Sequence, residues 1–124
     1  MMCSGVGIDL CEISRMEKLL EDSRFLVRFF SEEEIRYIHS RGRHAAATMA
    51  GLFAAREALG KALGSGLDFD LREAVVAHDE HGKPFYRFSG RLAARLAKDR
   101  FLLSISHDGG VAAAVCIRES PEDH

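Results

Sequence analysis

The stretch FAAREALGKALGSG, residues 53–66, holds Arg56, Glu57 and Lys61 inside an otherwise apolar run. On a helix advancing 100° per residue, Phe53, Arg56, Glu57, Gly60 and Lys61 share one arc. Leu52, Ala55, Leu59, Ala62 and Leu63 share the opposite arc and are expected to pack on a sheet, with Ala54 and Ala58 flanking. Glu57 and Lys61 stand four apart in the favourable order, an arrangement that adds about 0.2–0.5 kcal/mol on an exposed helix. Gly60 lowers helix stability by about 1 kcal/mol relative to Ala. Either close helix packing or a ligand lying against the backbone gains from its missing side chain. Asp9 supplies a second carboxylate, from the segment GVGIDL. Asp9 and Glu57 could share a hard cation such as Mg²⁺, which takes few carboxylates and keeps waters and substrate phosphates. Lys61 would then reach a phosphate as a point charge. Two separate surface acids fit the same spacing. His107 ends the run FLLSISH, where it is either a contact residue or a structural histidine.

These residues need elements to hold them. In GVGIDL, Val6, Ile8 and Leu10 point one way and Gly5, Gly7 and Asp9 the other, the alternation of a strand. Its second face is nearly bare, so another backbone or a ligand can approach closely. Ser14 with Glu17 and Ser31 with Glu34 both fit a capping box. The first opens a short helix with Met16, Leu19 and Leu20 inward; the second opens a helix to about Ser40 with Ile35 and Ile38 buried. Phe25, Leu26, Phe29 and Phe30 form an apolar cluster between them. A long helix is predicted from about Ala45 to Leu63, stopped by Gly64, Ser65 and Gly66. Residues 73–79 predict a strand, HGKPFYRF a turn and a second strand, and residues from Ser89 a short helix with Leu92 and Leu96 four apart. FLLSISH and VAAAVCIRE predict a hairpin through Asp108, Gly109 and Gly110. The order implies one α+β domain over residues 1–124, a largely antiparallel sheet packed with one long helix and shorter helices. The tail SPEDH is expected to fray.

Bulk properties narrow the classes. The 124 residues suit a single domain, and a cleft built within so small a unit would be shallow, which points to a subunit interface. A net charge of −2 and the lack of an aromatic stacking motif argue against an RNA-binding domain. Arg15, Arg24, Arg28, Arg36, Arg41 and Arg43 cluster locally, as a solvated surface or as a face for an acidic partner or phosphates. Cys3, Cys11 and Cys116 lack CxxC spacing and read as thiols of a reducing compartment. No leader and no long apolar run is evident, so a cytoplasmic protein, not a membrane one, is expected.

The set GVGIDLCEISR, AGLFAAREALGKALGSG, HGKPF and SISHDGGVAAAV resembles the holo-acyl-carrier-protein synthases, small 4′-phosphopantetheinyl transferases, over residues 4 to 119. G-x-D near the amino terminus and A-A-x-E-A-x-x-K-A-x-G on the long helix carry the likeness together with the SISH strand end. The resemblance implies the 4′-phosphopantetheinyl transferase fold. It implies transfer of the phosphopantetheine arm from coenzyme A to a serine of apo acyl carrier protein, releasing adenosine 3′,5′-bisphosphate. It further implies that Asp9 and Glu57 hold Mg²⁺ and that Lys61 neutralises phosphate charge. His107 with Ser106 would lie against the nucleotide, and Gly82, Lys83 and Pro84 would border the adenine. Glu57, or a water it orients on the metal, is the candidate proton acceptor. Such chemistry needs charge neutralisation and in-line positioning more than a covalent nucleophile.

The family is usually a homotrimer with sites between subunits, acting in fatty-acid synthesis and on other carrier proteins. Because acyl carrier proteins are acidic, Arg15, Arg24 and Arg28 are candidates to dock one, with Phe25 and Met16 or Leu19 as the apolar contact. Three departures concern nucleotide affinity: Arg56 replaces a usual Lys, Leu52 a frequent Arg, and Asp108 a small hydroxyl residue. Arg41, Arg43 or Arg56 could supply the phosphate contact missing at Leu52. A non-catalytic relative that binds coenzyme A or carrier protein is the alternative, opposed by intact Asp9, Glu57 and Lys61.

Overall fold

The computed structural model describes residues 1–122. Strand β1 (Met2–Glu12) runs into three short helices, α1 (Ile13–Leu19), α2 (Ser23–Phe29) and α3 (Glu32–His39). The long helix α4 (Ala45–Leu63) follows, then a hairpin of β2 (Ala74–His78) and β3 (Pro84–Phe88). Helix α5 (Gly90–Arg95) leads to a second hairpin, β4 (Arg100–Asp108) and β5 (Val111–Ser120). All pairing is antiparallel, but the strands form two sheets, β1-β5-β4 and β2-β3, rather than one. Ser120 pairs with Met2, so ordered strand reaches the first residue of the tail expected to fray. Residues 123–124 of that tail lie outside the described residues.

The glycines of β1 set the helix–sheet distance. A Cβ on Gly5 would overlap the Ala62 carbonyl oxygen, and one on Gly7 the Ala58 carbonyl oxygen. Ala54, Ala58 and Ala62, each four apart, make the matching seam on α4 and are buried. The bare face of β1 therefore turns inward, and its apolar face turns out. Val6, Ile8 and Leu10 are 58%, 60% and 67% exposed in the single chain, a departure from ordinary strand patterning.

Helix α4 is buried on nearly every side, and this changes the expected arcs. The charged arc is split. Arg56 is only 3% exposed and pairs with the carboxylate of Glu34, itself 1% exposed. Its guanidinium also donates to the carbonyls of Phe29 (2.6 Å) and Ala74 (3.0 Å). It is thus a strut joining α2, α3, α4 and β2, not part of a ligand wall. Gly60 likewise serves packing: a Cβ there would stand 2.9 Å from the Gly66 carbonyl carbon, inside the turn that caps the helix. That turn is a left-handed Gly64 (φ 81°) whose N–H returns to the Gly60 carbonyl at 3.1 Å.

The two capping boxes differ. Ser31 and Glu34 form theirs, with Glu34 N–H on Ser31 Oγ at 3.1 Å and Ser31 N–H on Glu34 Oε1 at 2.9 Å. Ser14 and Glu17 do not, because α1 already starts at Ile13. The Ile13 N–H is satisfied instead by the Gly110 carbonyl, 2.9 Å away in the β4–β5 turn. That turn has positive φ at Gly109 (57°) and Gly110 (82°), as a two-residue hairpin loop requires.

Candidate active site

Asp9 projects from the inward face of β1 toward α4, where the glycines leave room. Lys61 donates to its carboxylate (Nζ to Oδ1, 3.2 Å) and to the Ile8 carbonyl (2.9 Å). Glu57 lies one helical turn before Lys61, half-buried. Among the described residues it has no hydrogen-bond or ion-pair partner. Burial raises the proton affinity of its carboxyl above the ordinary value, and the charge of Asp9 raises it further; Lys61 and Arg15 oppose the shift. Asp9, Glu57 and Lys61 are thus brought together. Two mutually repelling carboxylates form a donor set that a divalent cation would relieve. Among the described residues no group of three or more His, Cys, Asp or Glu converges for a metal. The pair fits an ion that leaves most of its coordination to water and phosphate oxygens, as Mg²⁺ does.

Beside this pair an aromatic cluster links α4 to α2. Phe53, one turn before Glu57, stacks on Phe25 with centroids 6.2 Å apart and meets Phe29 at 5.8 Å. Arg15 lies over the Phe53 ring at 5.3 Å. Arg24 and Arg28 are exposed on the outer face of α2.

A second cluster occupies the other side of α4. A cleft of about 390 Å³ is lined by Tyr37, Arg41, His44, His78, Pro84 and His107, with Gly82 at its edge. His107 follows Leu103 and Ile105 on the helix-facing side of β4. Ser106 is on the opposite, outward side, so one chain does not place it with His107. Lys83 is exposed in the turn and outside the cleft lining. Asp9 and His107 stand on the two edge strands of the β1-β5-β4 sheet, with β5 between them, about 10 Å apart across the strands. Helix α4 lies across that gap.

The 4′-phosphopantetheinyl transferase superfamily model matches residues 5–116. The chain belongs to this family. It is 44% identical over 123 residues to the holo-[acyl-carrier-protein] synthase of Treponema denticola, covering 95% of this chain and 99% of that protein. The structure of a holo-(acyl-carrier-protein) synthase from Bacillus anthracis in complex with CoA (3′,5′-ADP) superposes with a TM-score of 0.82 at 33% identity, covering 98% of this chain and 100% of that one. The Neisseria meningitidis holo-[acyl-carrier-protein] synthase gives 0.86 at 28% identity, covering 96% and 100%.

Among the residues expected to dock a carrier, one is inaccessible in this transferase-family chain. Met16 is fully buried and cannot meet a partner. Val27, unremarked in the sequence, is 68% exposed on α2 between Arg24 and Arg28. A valine between two arginines on a helix with an otherwise apolar inner face is the signal that could have marked it. Tyr37, His44 and His78 were also missed as cleft residues; only their position beside Pro84 and His107 in space reveals them.

Proposed function

We propose that this chain transfers the 4′-phosphopantetheine arm of coenzyme A to a serine hydroxyl of apo acyl carrier protein, with Mg²⁺, releasing adenosine 3′,5′-bisphosphate. The observation that carries this reading is the meeting of Asp9, Glu57 and Lys61 at the end of the Phe53 aromatic bridge. When bound by Asp9 and Glu57, Mg²⁺ supplies charge neutralisation on the pyrophosphate and polarises the phosphorus under attack. The chain's own residues do the rest. Lys61, held by the Ile8 carbonyl and the Asp9 carboxylate, presents a cation where phosphate charge accumulates. Glu57, or a water it orients on the ion, would accept the serine proton. Arg24 and Arg28 steer the acidic carrier onto α2, and Arg15 and Phe25 guide it toward Glu57.

The reading includes a homotrimer with each centre shared between neighbours. Val6, Ile8 and Leu10 align across the sheet with Ile117, Val115 and Ala113 of β5, and Leu102 of β4 continues the band. So flat an apolar face on a single chain favours assembly. In a ring, the β1 edge of one subunit would face the β4 edge of the next. That arrangement would join the acid pair to the His107, Gly82, Pro84 cleft of a neighbour, and would bring Ser106 and Lys83 near the shared nucleotide. Free Cys3, Cys11 and Cys116 accord with the reducing cytoplasm, and no helix among the described residues is long and apolar enough to cross a membrane.

The test is direct. The protein is incubated with apo acyl carrier protein, coenzyme A and Mg²⁺, and the carrier is weighed by mass spectrometry. Addition of one phosphopantetheine is expected, and its loss on adding EDTA. An unmodified carrier, where a known transferase modifies it, overturns the reading.

A further inference from the structure

Helix α2 has seven residues, too few to hold its shape or its place by its own hydrogen bonds. Two contacts fix it to α4. One is apolar: Phe25 and Phe29 meet the Phe53 ring. The other is polar: Arg56 Nη1 donates at 2.6 Å to the carbonyl of Phe29, the last residue of α2. Among the described residues this is the one hydrogen bond that joins α2 to α4. A carbonyl at a helix C-terminus has no acceptor role left within the helix and carries the negative end of the peptide dipoles. A buried guanidinium satisfies it with the added strength of a charged donor. Arg56 also lies over the ring of the next residue, Phe30, at 5.7 Å.

Arg56 and Glu57 are neighbours on α4 and project about 100° apart. One holds the end of α2; the other stands beside Asp9. The exposed face of α2, with Arg24, Val27 and Arg28, is thus tied to Glu57 through a single peptide unit. The hairpin on the other side depends less on Arg56. The guanidinium does donate to the Ala74 carbonyl of β2 at 3.0 Å. Tyr86 Oη, however, donates independently to the Ala55 carbonyl of α4 at 2.6 Å, and Glu34 accepts the Val76 N–H at 2.9 Å. Without Arg56, β2 and β3 keep directional bonds to α4 and α3. Helix α2 keeps only its ring contacts, which are non-directional and let it slide.

We infer that Arg56 is a positioning residue for transfer: by holding the Phe29 carbonyl it fixes α2, and a carrier docked there, at a set distance from Glu57. This rests on the transferase reading above. Arg56 is buried and touches no substrate; it acts through α2. Without it, a carrier must order α2 as it binds, which weakens its affinity. Its serine is also no longer held in one place. The defect belongs to the carrier and not to coenzyme A. A merely structural role would instead lower the folded fraction, and with it kcat, and leave both KM values unchanged.

The experiment is steady-state transfer by the whole protein, with apo acyl carrier protein and coenzyme A varied in turn, well below the unfolding temperature of each variant. Arg56→Met combined with Glu34→Gln removes both charges together, so neither is left unpaired in the core. In this double variant the KM for the carrier should rise about tenfold, while the KM for coenzyme A stays within about twofold of the parent. Arg56→Lys keeps a charge on Glu34 but lacks the fork to reach Phe29 as well, and should fall between the two. Adding Val27→Glu to the double variant should raise the carrier KM by less than the product of the separate effects, because both act on α2. A carrier KM at the parent value, equal rises in both KM values, a fall in kcat alone, or a full product with Val27→Glu overturns this inference and leaves the transferase reading standing. Should the double variant not fold, Arg56→Lys decides by the same outcomes. A parent protein that transfers no phosphopantetheine overturns both.

Discussion

Arg56 and Glu34, twenty-two positions apart, form an ion pair that water does not reach. Both Glu34 oxygens are engaged: Oε1 closes the α3 capping box, and Oε2 holds Arg56 and accepts the Val76 N–H at 2.9 Å. Removing one partner strands the other charge. Arg56→Ala should destabilise the fold by about 3–5 kcal/mol, read by urea unfolding. Arg56→Lys should recover part of this, because it keeps the charge but loses the fork that spans two carbonyls. An unchanged midpoint for Arg56→Ala would refute the strut role.

Glu57 predicts a conflict between stability and activity. Its folded proton affinity is raised above the ordinary value of 4.5. In the window from that value up to the folded one, the native state holds more protons than the unfolded state. Stability therefore falls as pH climbs through the window, and the loss is complete above it. In EDTA near pH 7, Glu57→Gln should unfold at a higher temperature than the parent while losing transfer activity. Mg²⁺ should raise the parent's midpoint and leave that of Glu57→Gln unmoved. A lower midpoint for Glu57→Gln would sink the repulsion argument.

Carrier docking should respond to Val27. Val27→Glu places a negative charge between Arg24 and Arg28, and should lower kcat/KM for the carrier by about tenfold through KM. The midpoint of unfolding should not change, since the side chain is exposed. Raising salt should weaken the parent more than Val27→Glu. Equal kcat/KM values would remove α2 from the docking surface.

The proposed assembly uses the outward face of β1. Ile8→Asp should reduce the mass seen by analytical ultracentrifugation from a trimer to a monomer. Transfer activity should fall with it. A trimer that survives Ile8→Asp and Leu10→Asp together would place the interface elsewhere.

Much of the architecture follows from local pattern. The bounds of α4, the Gly-Gly hairpin and the Ser31–Glu34 cap are set by residues near one another in sequence, and they stand where periodicity and turn chemistry put them. The misreadings on α4 share one cause. A helical wheel distinguishes arcs only when one side meets water, and α4 is enclosed by sheet, hairpin and helices. Nothing in REA reveals that Arg56 will find Glu34 while its neighbour Glu57 turns toward Asp9. Gly60 was ambiguous for the same reason, since its partner, Gly66, belongs to a cap rather than a ligand. The failure at Ser14 has a different origin: a backbone carbonyl from the far hairpin replaces the side-chain cap, and no local signal reports it.

Under the proposed assembly, the placement of Asp9 on one edge strand and His107 on the other would separate the unit of folding from the unit of catalysis. In the proposed three-fold ring, with its head-to-tail contacts, each centre would draw its acid pair from one chain and its nucleotide cleft from another. Two defective chains can then repair each other. Asp9→Asn and His107→Ala subunits, refolded together in equal amounts, should yield intact centres at about a quarter of the interfaces by random assortment. Neither variant should have any when assembled alone. A cell carrying both alleles would behave as though it held a weak working copy, a form of complementation that a protein with self-contained centres could not show.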